Sequence, residues 1–456
     1  MAGRNAARVF ESVTAPRNLR RVYRDHVESS SARGRDGIDG PALRKDIRAI
    51  CSSLSRSLRS GSFRFTQYRL LLISKGPGKP PREIAVPTAR DRLVLRALAD
   101  LIIEIYPDTR GEIPQAKVQN VRNCLDSGQF DTYIRIDIEN FYPSIRHSDV
   151  FKALSGKIRK KALGQVLRDA LETPTVPDGS PKRPASGRNR RGVPQGLAIS
   201  NPLAELILTD VDKFFDTNND VAYVRFVDDI LILCDGAASE SIEADCIDRL
   251  KRLGLDAHRS LPKGGKSSRG AVADGFDYLG YKFHPGLTTV RQSSVARIES
   301  SLARAFTAYK KHCQEHPGEE HLAFQRCLWQ VNLTISGCIY KTAARGWLQY
   351  YRQMDDLTLL NKLDATVVRF TKRFGLARQF TPKRFLRAYW EIRHPRSGSR
   401  YVPNFDTYRI DERRSALLDL GVGRVSAMSD KQVNAAFFSI VNKAVSRLEH
   451  DIGLTS

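Results

Sequence analysis

The chain has 456 residues, 41% of them hydrophobic, which is length enough for two or three domains and too apolar for a disordered chain. Lys and Arg outnumber Asp and Glu by 74 to 50, a formal charge of +24 that suits a polyanionic partner, nucleic acid before a membrane surface. No apolar run reaches the length of a membrane span, and Met1 to Val13 lacks the apolar core of a signal peptide. The seven cysteines are odd in number and scattered without a C-x-x-C pair, and the nine histidines show no ligand spacing. These counts argue against a disulfide scaffold or a zinc site and point to a reduced, cytoplasmic protein.

In chain order, residues 1 to about 30 are basic and helix-compatible, with Arg17, Arg20, Arg21 and Arg24 on what reads as a solvated face. Pro41 to Leu58 places Leu43, Ile47, Ile50, Leu54 and Leu58 at helical spacing, and Ser62 to Ile73 turns strand-like. Lys75 to Arg82 (K-G-P-G-K-P-P-R) is a hairpin-like segment that brings Lys75, Lys79 and Arg82 together, as a triphosphate requires, although an exposed basic loop has the same composition. Arg90 to Tyr106 reads as a long scaffold helix.

Tyr133 to Ile145 (Y-I-R-I-D-I-E-N-F-Y-P-S-I) is an apolar strand that delivers one acid, Asp137, ahead of an aromatic pair. Thr173 to Arg191 is rich in Pro, Ser, Gly and cations and cannot build core, so it is expected to be a mobile surface segment. Its Lys182, Arg183, Arg188, Arg190 and Arg191 fit either a nucleic-acid or triphosphate contact or a solvated loop. Gly192 to Leu208 runs from a Gly/Pro loop into an apolar helix, with Ser200 or Asn201 as its expected cap. Tyr223 to Cys234 (Y-V-R-F-V-D-D-I-L-I-L-C) then sets Asp228 and Asp229 at a tight turn between two buried strands. Asp-Asp alone is ordinary turn chemistry.

The order of acid strand, glycine loop with its helix, and acid hairpin resembles the palm of the reverse transcriptases. Gly34 to Gly40 resembles the opening motif of the bacterial and group II intron-like members, Ile73 to Ala97 their fingers segment, Gly254 to Ser267 their lysine-bearing motif, and Phe276 to Phe283 (F-D-Y-L-G-Y-K-F) their primer grip. So many motifs in the correct order make a specific signal where one alone is weak. Among lineages the chain most resembles free-standing bacterial enzymes linked to abortive infection and phage defence, because nothing after residue 350 resembles a maturase, an H-N-H nuclease or an RNase H.

The resemblance implies an α+β right-hand polymerase. Its expected parts are an N-terminal extension and fingers (1–132), a palm of antiparallel sheet plus helices (133–288), a helical thumb (289–354) and a basic, mainly helical C-terminal region (355–456). Arg291 to His312 should open the thumb. Cys338 to Arg352 sets aromatics among cations, as core or as a duplex-facing helix.

Two magnesium ions, with manganese as a possible substitute, would sit about 4 Å apart to activate a 3′ hydroxyl and stabilise the leaving pyrophosphate. Asp137 and Asp228 would bridge them, with Asp229 as a weaker ligand and the Ile138 carbonyl as a further oxygen. Three acids between buried strands repel one another unless cations neutralise them. The resemblance further implies that Arg82, helped by Lys75 or Lys79, grips the triphosphate and that Gln195 and Gly196 line the nucleotide pocket. Tyr142 would be the steric gate against a 2′ hydroxyl, although Phe141 and Tyr142 also read as core aromatics. Either Lys263 or Lys266 could protonate pyrophosphate, and the family's Lys-Thr pair points to Lys266. Tyr278 and Gly280 would touch the primer.

The implied activity is RNA-directed DNA synthesis from dNTPs on an RNA template, here a dedicated noncoding RNA in antiphage defence, with a DNA product. Template-independent or protein-primed DNA synthesis, RNA synthesis, and a non-catalytic RNA-binding role are the alternatives.

Overall fold

The computed structural model describes residues 5–74, 78, 80–180, 187–260 and 266–452. Lys75, Lys79, Lys182, Arg183 and Lys263 lie outside them. The chain divides into two compact units, residues 1–117 with 127–271, and residues 118–126 with 272–456.

In the first unit, the helices Ala6–Val13 and Pro16–Val22 bury Val9, Phe10, Val13, Leu19 and Val22. They leave Arg17, Arg20, Arg21 and Arg24 exposed, as expected of a solvated face. Helix Ile47–Ser60 stops at Gly61, whose φ of 75° suits a residue without Cβ. Helix Ala89–Ile105 is capped by the Thr88 hydroxyl, which accepts the Asp91 N–H at 3.1 Å. Its buried residues occupy every face, so it runs through the core and is not a surface helix with one apolar stripe.

Strands β1 (Tyr68–Ile73) and β2 (Arg82–Val86) pair antiparallel, from Arg69 opposite Val86 to Ile73 opposite Arg82. Next come β3 (Thr132–Asp137), β4 (Thr175–Val176), β5 (Val221–Phe226), β6 (Asp229–Cys234) and β7 (Ser268–Ala271). A four-stranded sheet runs in the order β5-β6-β3-β7, every neighbouring pair antiparallel. In β6, Ile230 through Cys234 are all buried, the pattern of a strand covered on both faces.

Two local expectations fail here. The segment 173–191 is not loose at its ends. Thr175 and Val176 join β1 in parallel, and Asn189 donates its N–H to the Glu172 carbonyl at 2.9 Å, because the backbone satisfies itself where the side chains cannot pack. Neither Ser200 nor Asn201 caps the helix Ser200–Asp216. The Ser200 hydroxyl instead donates back to the Pro194 carbonyl at 2.6 Å and ties the glycine loop to the helix it feeds.

In the second unit, β8 (Phe276–Tyr278), β9 (Tyr281–His284) and β10 (Leu287–Val290) form a meander. The long helices Gln292–Glu315 and Glu320–Ser336 follow, the first over the stretch expected to be helical. The seam between units falls after residue 271 and not at 288, because the meander packs forward in sequence. The rings of Tyr281 and Tyr351 lie 5.0 Å apart, and the Tyr281 hydroxyl donates to the Tyr350 carbonyl at 2.6 Å.

Cys338 to Arg352 is not a helix. It forms a hairpin, β11 (Cys338–Tyr340) and β12 (Ala343–Arg345), then one helical turn, Trp347–Tyr350. Lys341 and Thr342 turn that hairpin with φ of 53° and 60°. Trp347, Tyr350 and Tyr351 are buried, so the aromatics are core. Helices Leu357–Arg373, Phe385–Arg393, Ile410–Asp419 and Asp430–Ile452 complete the unit. The α+β class is as expected, all seven cysteines are free and five are buried, and no described helix is long and apolar enough to cross a membrane.

Candidate active site

β3 is flanked by β6 and β7, and its last residue, Asp137, stands opposite Asp229, the first residue of β6. Phe226 pairs with Asp229, so the β5–β6 hairpin turns on two residues, Val227 and Asp228. Val227 has φ of +58°, a conformation that costs a β-branched residue about 1–3 kcal/mol. The Ile138 N–H donates to the Asp228 carbonyl at 3.4 Å, so the hairpin tip rests on the chain leaving β3.

Asp228 is mostly buried, and its carboxyl is pushed above the usual carboxylate range. Burial is the chief cause, and the charges of Asp229 and Asp137 add to it. A hydrogen bond from its own backbone and the Arg82 charge oppose it. Lys266 brings its Nζ to 3.6 Å from Asp137 Oδ2, and the hydroxyl of the wholly buried Ser267 accepts the Asp137 N–H at 3.0 Å. That serine fixes the end of β3.

Asp229 is committed elsewhere. Arg135, two residues before Asp137 and on the same face of β3, meets it with a two-pronged ion pair at 2.8 and 3.0 Å. Accordingly, no three His, Cys, Asp or Glu side chains among the described residues form a ready-made metal cage. Two partly exposed carboxylates suit magnesium, which takes one or two carboxylates and completes its shell with water and substrate phosphates.

The strand-to-helix turn after β3 passes through Asn140 at φ of 44° and splits the aromatic pair. Phe141 is 2% exposed and belongs to the core, whereas Tyr142 is half-buried and donates its hydroxyl to Asn201 Oδ1 at 2.6 Å. The Tyr142 phenol is pushed well up by burial, then by Asp228 and Glu205, against the pull of Arg82 and Arg225. Arg82 therefore acts electrostatically on both Tyr142 and Asp228 from the start of β2. The Gln195 carbonyl accepts the Ala85 N–H at 2.7 Å. Gly196 (φ 96°) follows, and a Cβ there would lie 2.7 Å from Ile84 Cγ2.

Arg188 pairs with Glu172 at 2.8 Å, Arg191 donates to the Ser144 and Gly254 carbonyls, and Arg190 is exposed. Tyr278, expected at the primer, is 1% exposed: its ring is interior to the second unit and offers nucleic acid no surface. Gly280 (φ 80°) is there for the backbone, since a Cβ would meet the Tyr351 hydroxyl at 2.6 Å.

Arg135 and Arg225 were not singled out from sequence. Each is the one cation in an otherwise apolar strand, two or three residues before a candidate acid, and a buried cation in such a place needs a nearby carboxylate.

Residues 73–283 match the family of the reverse transcriptase, an RNA-dependent DNA polymerase. Protein YkfC of Escherichia coli (strain K12) is 24% identical over 361 residues, covering 66% of this chain and 89% of its own. The group II intron-encoded protein LtrA of Lactococcus lactis subsp. cremoris is 24% identical over 166 residues, 35% of this chain and 27% of its own. An uncharacterized 91 kDa protein in a cob intron of Schizosaccharomyces pombe is 27% identical over 188 residues, 40% of this chain and 22% of its own. The chain thus spans most of the first relative and about a quarter of the two intron proteins. Among solved structures, a telomerase from Candida albicans aligns with a TM-score of 0.42 and 11% identity over 75% of this chain and 69% of that one, too loose a likeness to bear on the site. Residues 73–283 are thus a reverse transcriptase domain, the domain of an RNA-directed DNA polymerase.

Proposed function

We propose that the sheet end carrying Asp137 and Asp228 performs nucleotidyl transfer with two divalent cations, copying RNA into DNA. The observation that carries this reading is the sheet end itself: Asp137 pairs opposite Asp229 beside the two-residue turn that holds Asp228, whose carboxyl is raised by burial and by the charges of Asp229 and Asp137. Such acids are costly unless a cation joins them. Asp137 and Asp228 would hold the magnesium ions, which when bound supply the activated 3′ hydroxyl and neutralise the leaving pyrophosphate. The Ile138 carbonyl is a candidate further ligand. Asp229, held by Arg135, is at most a secondary ligand that orients the others.

Arg82 neutralises the triphosphate, with Lys75 or Lys79 as helper, and Lys266, beside Asp137, gives a proton to pyrophosphate. Gln195 and Gly196 bound the nucleotide pocket, and Tyr142 stands against a 2′ hydroxyl. A dedicated noncoding RNA template and an antiphage setting belong to the same proposal and rest on the sequence resemblance alone. Sequencing the RNA and DNA that co-purify with the protein tests them.

The test of the site is dNTP incorporation on a primed RNA template. Asp137→Asn and Asp228→Asn are expected to lower the rate at least about 100-fold with the melting temperature preserved; activity within tenfold of wild type would sink the assignment. In the same assay Tyr142→Val should raise rNTP use relative to dNTP use by about 10- to 100-fold, the equivalent of roughly 1–3 kcal/mol of discrimination. An unchanged ratio in a destabilised variant returns Tyr142 to the core.

A further inference from the structure

We propose that Arg225 is a positioning residue for nucleotidyl transfer: it clamps the strained Val227 peptide, so that the next residue, Asp228, is held facing Asp137. The inference rests on the site reading above and adds to it a residue that need touch neither substrate nor metal.

Arg225 is 7% exposed and lies on β5, three residues before Asp228. Its Nη1 donates to the Val227 carbonyl at 3.0 Å. Its Nε meets Asp212 Oδ1 at 2.7 Å, and its Nη2 meets Glu205 Oε2 at 2.7 Å and the other Asp212 oxygen. The Tyr223 hydroxyl donates to Asp212 as well, at 2.9 Å, and fixes that carboxylate from the strand side. Asn201, Glu205 and Asp212 are four and seven residues apart on the helix Ser200–Asp216, hence on one face of it. Asn201, at the head of this stripe, holds the Tyr142 hydroxyl. One helix face therefore supports both Tyr142 and, through Arg225, the peptide that presents Asp228.

A buried ion triad is a poor means of stabilising a core, because desolvation offsets most of the attraction and an apolar replacement often does as well. What the triad supplies is direction. A guanidinium fixed on two sides by carboxylates has a planar fork whose remaining N–H is aimed, here at the carbonyl of a peptide whose conformation is itself unfavourable. Lysine in the same place would keep the charge and the ion pairs but, as a point charge with a mobile head, would not hold that carbonyl.

The test compares Arg225→Lys, which leaves both carboxylates paired, with the neutral triple variant Arg225→Met, Glu205→Gln, Asp212→Asn. Three quantities are read on the full chain: kcat and KM for dNTP addition, amide hydrogen exchange across 221–234, and the melting temperature. Arg225→Lys should lose about 10- to 100-fold in kcat, the scale of a misplacement of about 1 Å, with KM for dNTP changed less than threefold. The amides of the hairpin tip should exchange about tenfold faster at a melting temperature within a few degrees of wild type. The triple variant should share the kinetic defect while remaining folded.

Wild-type kcat and exchange in Arg225→Lys overturn the clamp. So does a kcat loss that merely tracks unfolding in both variants and disappears at lower temperature. Asp228→Asn in the same assay separates the readings: if it is active, the catalytic site is misassigned. If it is inactive while Arg225→Lys behaves as wild type, only the clamp is wrong.

Discussion

Among the described residues, two hairpins turn on a pair of non-glycine residues with left-handed backbone at one or both positions, and they are restrained by opposite means. In the second unit Lys341 and Thr342, at φ of 53° and 60°, direct their N–H groups at one carboxylate, each 2.8 Å from an oxygen of Asp406. The restraint is an acceptor from a distant loop, exposed to solvent. In the first unit Val227, at φ of +58°, has its carbonyl held by Arg225 of its own hairpin, which is buried and braced by two acids. An exposed carboxylate suffices to hold a turn whose only task is to reverse the chain. The turn that carries the partly buried Asp228 is held from within its own hairpin, which on the proposed function would leave its outer side to substrate.

The sharpest way to break this comparison is to remove the strain from each turn in parallel. Val227→Gly relaxes the hairpin that carries Asp228, and incorporation is expected to slow about tenfold with stability within about 1 kcal/mol of wild type. Thr342→Gly should leave the rate unchanged and alter stability by about the same amount; equal kinetic effects would erase the distinction.

Smaller in effect is the loss of the outer restraint. Asp406→Ala removes two charge-assisted bonds that water can partly replace, so a cost of about 1–2 kcal/mol in thermal unfolding is expected, again without a change in kcat.

The smallest effect concerns how buried cations are met. Arg225 has two carboxylates, whereas the partners of Lys383 among the described residues are neutral: the Tyr401 carbonyl at 2.6 Å, the Ser336 hydroxyl at 3.4 Å and the Tyr401 ring, 5.3 Å to its centroid. Burial pushes the Lys383 ammonium down to about 8 from the usual 10.5. Between those values the folded protein binds fewer protons at this site than the unfolded chain, so its contribution to stability rises with pH across the window. Wild type should gain about 2–4 °C on Lys383→Met between pH 8 and 10. A flat difference would mean that Lys383 stays charged.

Much of this was legible in the sequence where one residue type can do only one thing. Apolar runs ending in Asp137 and in Asp228–Asp229 gave the strands and the turn, and the spacing of leucines gave the helices Ile47–Ser60 and Ala89–Ile105. What escaped depends on partners far along the chain. Asp229 looked like a third metal ligand because nothing local to it shows that Arg135, 94 residues earlier, takes both of its oxygens. Tyr278 was expected at the primer from the resemblance of its motif, and nothing local shows that rings some seventy residues later pack on its meander. The Cys338–Arg345 hairpin has strands of three residues, too short for any period to show, and turns on Lys-Thr where asparagine and glycine are the usual signals.

Gly196 bears on how the pocket tolerates change. Its missing side chain lets the loop lie against β2, where the Gln195 carbonyl takes the Ala85 N–H, and a methyl group there would meet both Ile84 Cγ2 and, at 3.0 Å, the Ala85 carbonyl. Since Arg82 opens the same strand three residues earlier, loop and strand form a single mechanical part. If Arg82 grips the triphosphate as proposed, a lesion in the loop would be felt through β2 as weakened grip on the incoming nucleotide. Inheritance of this pocket is therefore joint: the strand and the loop can drift only together.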